Sequence, residues 1–357
     1  MNTKDIAHIR LHTQQIAASA FKSPGNLVQW MGVLQAQDYA MAKWAIGIRV
    51  PNATEQTINN AIHTGDIIRT HVLRPTWHFV SRYDIHWMLA LSAPKIKSTL
   101  PYYHRQLDIT NAILKKSNKV IEKALTSHKH LTRNELVVVF KKANIAVDNN
   151  RAIQLLFWAE LEGLICSGEL KDKEPTYTLL DAWVPKKQSF TREESIAELA
   201  RRYFNSHAPA TLHDFAWWAG LTVAESKAGM EAIQAGFIAE KIDSQTYWLP
   251  NNFSLPVQKQ KTACLLPAYD EFIVSYTDRS AIFTSDIQPK VITTNGLFRP
   301  VLLINGHAAG IWKRTIKKDK VTVNFDFFTT PPKTANALIK KAVKAYGEYC
   351  DMEISGF

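Results

Sequence analysis

The sequence is poor in cysteine. Cys166, Cys264 and Cys350 are far apart and odd in number, so they make neither a metal-ligand spacing nor a disulfide framework. A reducing cytosol is the expected compartment. No apolar run approaches the ~20 residues of a membrane-spanning helix. The start, MNTKDIAHIR, has no apolar secretory core, so no membrane partner is expected. Phosphate-binding glycine loops, dinucleotide fingerprints and nucleophile elbows are missing, and a kinase or elbow-type hydrolase lacks its parts. The 12 histidines are scattered, and His128 and His130 have no cysteines nearby. No metal and no other cofactor is expected. Acid is in deficit as well: 32 Asp and Glu stand against 43 Lys and Arg, a net charge of +11.

That charge points to a polyanionic partner, most simply nucleic acid. The plainer alternative is a basic surface that aids solubility. With 357 residues, 46% of them hydrophobic, the chain can build ordinary globular cores in two to four domains.

The middle of the chain is the most legible. A helix covers 118–124, and Thr132 with Glu135 makes a capping box for the next. Ile153, Leu156, Phe157 and Leu161 fall at helical spacing in a third, over 150–162, which Gly163 ends. GLICSGEL and TYTLL read as two strands. Three helices and a hairpin is the order of a winged helix-turn-helix. The order returns about 70 residues later. Thr191 and Glu194 cap a helix to Ser206, a second covers 210–219 with Gly220 at its turn, and Thr222 and Glu225 cap a third. FIAEKI and TYWLP form the hairpin. A third copy is expected at the start, with helices over 26–34, 38–46 and 54–63, a hairpin of IIRTHVLR and WHFV, and a helix over 83–93. In the last hundred residues LLPAYDEFIVSY, AIFTS, VLLING, AAGIWKR and VTVNFDFF are strand-like, with a turn at Asn305–Gly306. They predict a small β-barrel, closed by an amphipathic helix in ANALIKKAVKAYGEYC. Segments near Pro185 and from Pro250 to Pro256 are the expected linkers. The expected fold class is α+β: three tandem winged helix-turn-helix domains (1–110, 111–188 and 189–256), then a small C-terminal β-barrel (257–357).

Few residues stand out chemically. LQAQDYAMAKWA ends an apolar run with Gln35 and Gln37 flanking Ala36. In a helix, residues two apart point to different sides; in an extended chain they share one. Such amides can merely satisfy helix-end carbonyls. Two neutral amides can also orient a water and stabilise charge. In RPTWH, Arg74, Thr76 and His78 share a face if the segment is extended, with Arg69 and His71 in the strand before. A wing so rich in donors suits phosphate, or is simply solvated. In Trp217–Trp218, one ring is expected in the core; base stacking is the alternative. Lys313, Arg314, Lys317, Lys318 and Lys320 follow Trp312 on a hairpin, which is either a solvated face or a groove contact.

Four stretches together resemble the AlkZ-like winged-helix DNA glycosylases, which include the bacterial YcaQ-type proteins: LQAQDYAMAKWAIGIR, IIRTHVLRPTWHFV, LLPAYDEFIVSYTDRS and NGLFRPVLLINGHAAGIWKR. They come from both ends of the chain, and the order of elements between them also fits. The resemblance implies three winged helices and a β-barrel around a concave basic channel. It implies a monofunctional DNA glycosylase that excises alkylated bases, including N7-alkylpurines, and unhooks interstrand crosslinks in double-stranded DNA. The family's signature is glutamine, an apolar residue, then glutamine or aspartate. Gln35, Ala36 and Gln37 match its first form, although Ala36 is small for its place. Gln37 is then expected to hold the water and Gln35 to position, with Asp38 a second candidate for the base. The same resemblance assigns Arg69, Arg74, Thr76 and His78 to the channel wall, His78 having the alternative of ordering the glutamines. Asp270 and Glu271 are expected to orient basic neighbours, and Arg279, Lys313 and Arg314 to contact phosphate. The expected molecule is a cytoplasmic, nucleoid-associated monomer that repairs alkylation damage by base excision. Its rivals are a winged-helix transcription regulator without catalysis, which three unequal copies in one chain disfavour, and a non-catalytic protein scaffold.

Overall fold

In the computed structural model, residues 3–172, 174–186, 189–254 and 261–356 are described. The chain forms two compact units, Met1–Asn59 with Ile196–Phe357, and Asn60–Ser195.

In the unit Asn60–Ser195, the strands Ile67–His71 and Trp77–Ser81 pair antiparallel, Thr70 opposite His78. Helix Ile85–Ser98 follows, longer than expected and carrying Pro94 within it. The helices Asn111–Ser127, Arg133–Lys142 and Arg151–Leu161 then pack a core of Leu114, Ile121, Leu136, Phe140, Leu155 and Ile165. The second helix starts where its capping box places it: Thr132 Oγ1 accepts from Glu135 N–H at 3.2 Å, and Glu135 accepts from Thr132 N–H at 2.8 Å. Such a cap contributes about 1 kcal/mol. Strands Ile165–Ser167 and Thr176–Leu179 form the hairpin, and Leu131–Thr132 adds a third strand.

The other unit repeats that order with the helix ending at Ser206, then Leu212–Ala219 and Val223–Ile233, and the hairpin Phe237–Ile242 with Gln245–Pro250. Its C-terminal part differs from a barrel. Strands Ala263–Leu266, Val301–Ile304, His307–Lys317 and Lys320–Phe327 are antiparallel neighbours, and Glu353–Gly356 joins the last in parallel. The first and last of these five strands are edges, so the sheet is open. Two expected strands differ: of LLPAYDEFIVSY only Leu265 and Leu266 lie in a strand, and AIFTS forms none. Glu271–Val274 is a helical turn, because Asp270 caps it by accepting from Phe272 N–H at 2.9 Å, and residues 281–285 form a turn. Asn305–Gly306 does turn the hairpin, with φ of 53° and 84°, as a tight turn of the primed type requires. Pro250 ends a strand rather than forming a linker, and Pro256 lies outside the described residues.

Helix Asn336–Cys350 closes the sheet with Tyr346 set edge-on to both Trp312 and Trp44, at 5.2 and 5.1 Å. The two indoles donate to adjacent carbonyls of one strand, Trp44 to Leu265 and Trp312 to Leu266. This clamp places helix Tyr39–Gly47 against the sheet. Gly47 permits it, since a Cβ there would stand 2.6 Å from the ring of Tyr349.

Candidate active site

The helix expected over 26–34 stops early. It runs Pro24–Met31, capped by Ser23, and Gly32 ends it at φ 79°. That angle suits glycine, and a side chain there would also crowd Trp218 Cη2 at 3.2 Å. The chain then extends as Val33–Gln35. Val33, Leu34 and Ala36 are buried, Gln35 is half-buried and Gln37 is exposed. The small Ala36 is the residue that goes inward, and the amides on either side keep contact with water. Asp38 then stops the extended run: its Oδ1 accepts from Met41 N–H at 3.1 Å and caps helix Tyr39–Gly47.

Behind the motif lies a buried polar cluster. Glu271 Oε1 accepts the backbone N–H of Gln35 at 2.7 Å. Its Oε2 accepts from Trp218 Nε1 at 3.0 Å and from the Ser275 hydroxyl. His207 Nε2 is 3.8 Å away, and burial holds that imidazole below its ordinary pKa of 6.5 against the opposing pull of Glu271. Next in the chain, Asp270 pairs with Arg49 through two bonds, 2.7 and 2.8 Å, both side chains being sealed from solvent. Arg49 also donates to Gln14 Oε1 and to the carbonyls of Gln14 and Ala45. Every donor is matched, as a buried charge demands.

On the open side, Asp38 lines a cavity of about 630 Å³ with Arg299, Trp312, Lys313, Arg314 and Asp326. Trp312 is buried, while Lys313 and Arg299 are exposed. Arg314 is half-buried and donates to the hydroxyl of Tyr346. Three cations against two carboxylates leave the cavity cationic. No cluster of three or more His, Cys, Asp or Glu able to hold a metal occurs among the described residues, and among them no helix is long and apolar enough to cross a membrane.

A family model described as "DNA glycosylase AlkZ-like" matches residues 28–349. The chain belongs to the AlkZ-like DNA glycosylase family. An AlkZ-like protein is a DNA glycosylase, a hydrolase of the base–sugar bond, and the matched span includes the glutamine motif and the Asp270–Glu271 turn. Among solved structures, the Streptomyces sahachiroi DNA glycosylase AlkZ superposes with a TM-score of 0.80 at 15% identity, covering 100% of both chains. At that identity the likeness shows the fold. No curated protein matches.

The structure sorts the other expected site residues of this AlkZ-like chain. Arg74 and Thr76 are not extended: Arg74 N–H donates to Val72 O, and Thr76 N–H to Arg74 O, at 2.6 and 2.7 Å, so two tight turns stand where a shared face with His78 needed an extended chain. His78 is wholly buried. Its Nδ1–H donates to Thr76 O at 2.9 Å, which leaves Nε2 to accept from Arg74 at 3.4 Å. As a channel wall, His78 has no exposed surface to offer. Arg69, half-buried, lies 4.1 Å over the ring of Trp77. Arg279 gives Nε–H to Ile273 O at 2.8 Å and a second donor to Thr277 O; burial lowers its pKa. Two of its donors thus brace the backbone. Asp270 pairs with a basic neighbour, Arg49, whereas the Glu271 carboxylate accepts from Gln35 N–H, Trp218 and Ser275. Trp218 is the core ring of its pair, and Trp217, half in solvent, donates to Val274 O.

Sequence reading missed Gln14, Arg49, His207 and Ser275. The one available signal was Arg49, a charge inside the apolar run AIGIRV. Such a residue is rarely buried without a partner, so it asked for an acid elsewhere.

Proposed function

We propose that this DNA glycosylase excises cationic N7-alkylpurines from double-stranded DNA, unhooking crosslinks made through the same position, as a monofunctional base-excision repair enzyme acting as a monomer. The observation that carries the reading is the motif's burial order: Ala36 sealed, Gln35 half-buried, Gln37 exposed, with Gln35 fastened from behind.

An N7-alkylpurine already carries positive charge, so it departs neutral and needs little help from an acid. The C1′–N9 bond breaks with its electron pair going to the purine. Water then bonds to the oxocarbenium-like C1′ and gives up a proton. The catalytic task is to aim that water and to support positive charge on the sugar. An amide oxygen of Gln37 accepts from the water, and Gln35 fixes the sugar-side geometry. Asp38 is the second candidate to take the proton: Oδ1 is occupied by its cap, and Oδ2 is its other acceptor oxygen. The cationic cavity beside Asp38 receives the nucleotide strand, Lys313, Arg314 and Arg299 meeting phosphate. Arg69 and Arg74 serve the DNA contact of the hairpin. In this reading the chain carries three winged helices, 1–110, 111–188 and 189–256, and a sheet domain at 257–357.

The test is base release from N7-methylguanine duplex, read as heat- or alkali-labile sites. Gln37→Ala should slow release about 10²- to 10³-fold, the usual loss of one preorganised group, with DNA affinity kept. Full activity in both Gln35→Ala and Gln37→Ala would remove the site. A sequence-selective footprint on undamaged DNA without release would point to a regulator.

A further inference from the structure

We infer that Glu271 is a positioning residue for the reaction, holding the backbone of Gln35 so that the motif's amides stay aimed; this rests on the catalytic reading of Gln35 and Gln37. Glu271 is fully buried. Three neutral donors converge on its carboxylate: Gln35 N–H on Oε1 at 2.7 Å, and the Trp218 indole and Ser275 hydroxyl on Oε2. Only a group with acceptors on both oxygens fits that arrangement, because an ionised carboxylate has no donor of its own. Bonds to a charged acceptor are about twice as strong as neutral ones, and here they form away from water.

The consequence for catalysis is geometric. Gln35 is the last residue of its strand, two positions before Gln37, and its side chain reaches partly into solvent while its N–H is gripped from inside. Glu271 lies 236 residues further along, on a turn stiffened by the Asp270 cap and the Arg49–Asp270 pair. The motif is thus anchored to a rigid element rather than left as a loose turn. A misplacement of about 1 Å at such a site costs ~10²-fold in rate.

Glu271→Gln makes the test sharp. An amide can turn its oxygen to Gln35 only by pointing its NH2 at Ser275 and Trp218. The serine hydroxyl can rotate to accept, but the indole N–H cannot. Turned the other way, the NH2 opposes Gln35 N–H and pushes the motif outward. Glu271→Gln should therefore lower single-turnover base release ten- to hundredfold with DNA affinity unchanged. Adding Trp218→Phe removes the rigid donor, and release per folded molecule should recover at least fivefold over the single variant. A packing role predicts a further loss instead, and that result overturns the inference. Wild-type release by Glu271→Gln, with Gln35→Ala and Gln37→Ala inactive, sinks the positioning role and leaves the catalytic reading standing. Full release by both glutamine variants sinks the catalytic reading, and the inference with it. Loss of rate and affinity together in Glu271→Gln assigns it to fold maintenance. Should that variant not fold, Ser275→Ala removes one donor only; it should slow release two- to fivefold at unchanged affinity, and an unchanged rate overturns the proposal.

Discussion

Glu271 and Glu160 are both sealed from water, one in each compact unit, and they are satisfied in opposite ways. Glu271 meets three neutral donors spread over both oxygens. Glu160, on helix Arg151–Leu161, has one partner for Oε2, the Nδ1–H of His71 at 2.6 Å, while its Oε1 has no hydrogen-bond partner among the described residues. His71 is itself wedged between Trp77 and Phe157, ring centroids 3.9 and 4.4 Å away. The Glu160 contact ties a strand to a helix and stands or falls with one imidazole. The Glu271 contact spreads its load, and one donor belongs to the glutamine motif. A buried carboxylate with a single partner is a fastening of the fold; one with several neutral donors can set the position of a backbone.

The contrast can be broken experimentally. The largest stability effect should come from His71→Ala, which leaves Glu160 buried without its partner. Stability should fall by about 3–5 kcal/mol, the usual cost of stranding a buried charge, read from urea unfolding midpoints. Base release per folded molecule should stay within twofold. If release failed while stability held, the two glutamates would belong to one class.

A smaller effect is expected from acid. Burial lowers the pKa of His207, His104, His130 and His12 below the 6.5 of the unfolded chain, with His8 adding to the shift in His12. Below pH 6.5 the unfolded state therefore binds protons the folded state refuses. The stabilisation is complete above pH 6.5 and is lost as pH falls through the lower folded values. The urea midpoint should drop steadily from pH 7 to pH 5, and a midpoint that rises over that range would contradict the burial of these rings. Restoring neutral pH should restore it.

The smallest structural effect belongs to Lys313, exposed at the cavity's rim. Lys313→Ala should leave the melting temperature unchanged. It should weaken DNA binding without changing sequence preference and reduce the salt slope of log K by roughly one, measured by anisotropy at several salt concentrations. An unchanged slope would take Lys313 out of the phosphate contact.

Local signals in the sequence were reliable where the deciding atoms are close in the chain. Thr132 and Glu135, Thr211 and Asp214, and Thr222 and Glu225 all form capping boxes; the first and third were readable from three-residue spacing. Asn305–Gly306 turned its hairpin for the same reason. Reading failed where an apolar run is compatible with two structures. AYDEFIVSY has the composition of a strand, but the Asp270 cap makes Glu271–Val274 a helical turn. RPTWH alternates like a strand, but Pro75 removes a donor and its neighbours fold into tight turns.

By itself, the amino-acid sequence determined the family, two of the capping boxes, the positive charge and the oddity of two glutamines around an alanine. The family rests on four stretches from both ends of the chain and on their order; the rest depends on composition or on residues within a few positions of one another. Tertiary structure alone decided that Arg49 meets Asp270 across 221 residues and that Glu271 grips Gln35 across 236. No spacing rule reaches so far: such pairs exist only once packing has removed water and left each buried charge a single place to find its partners.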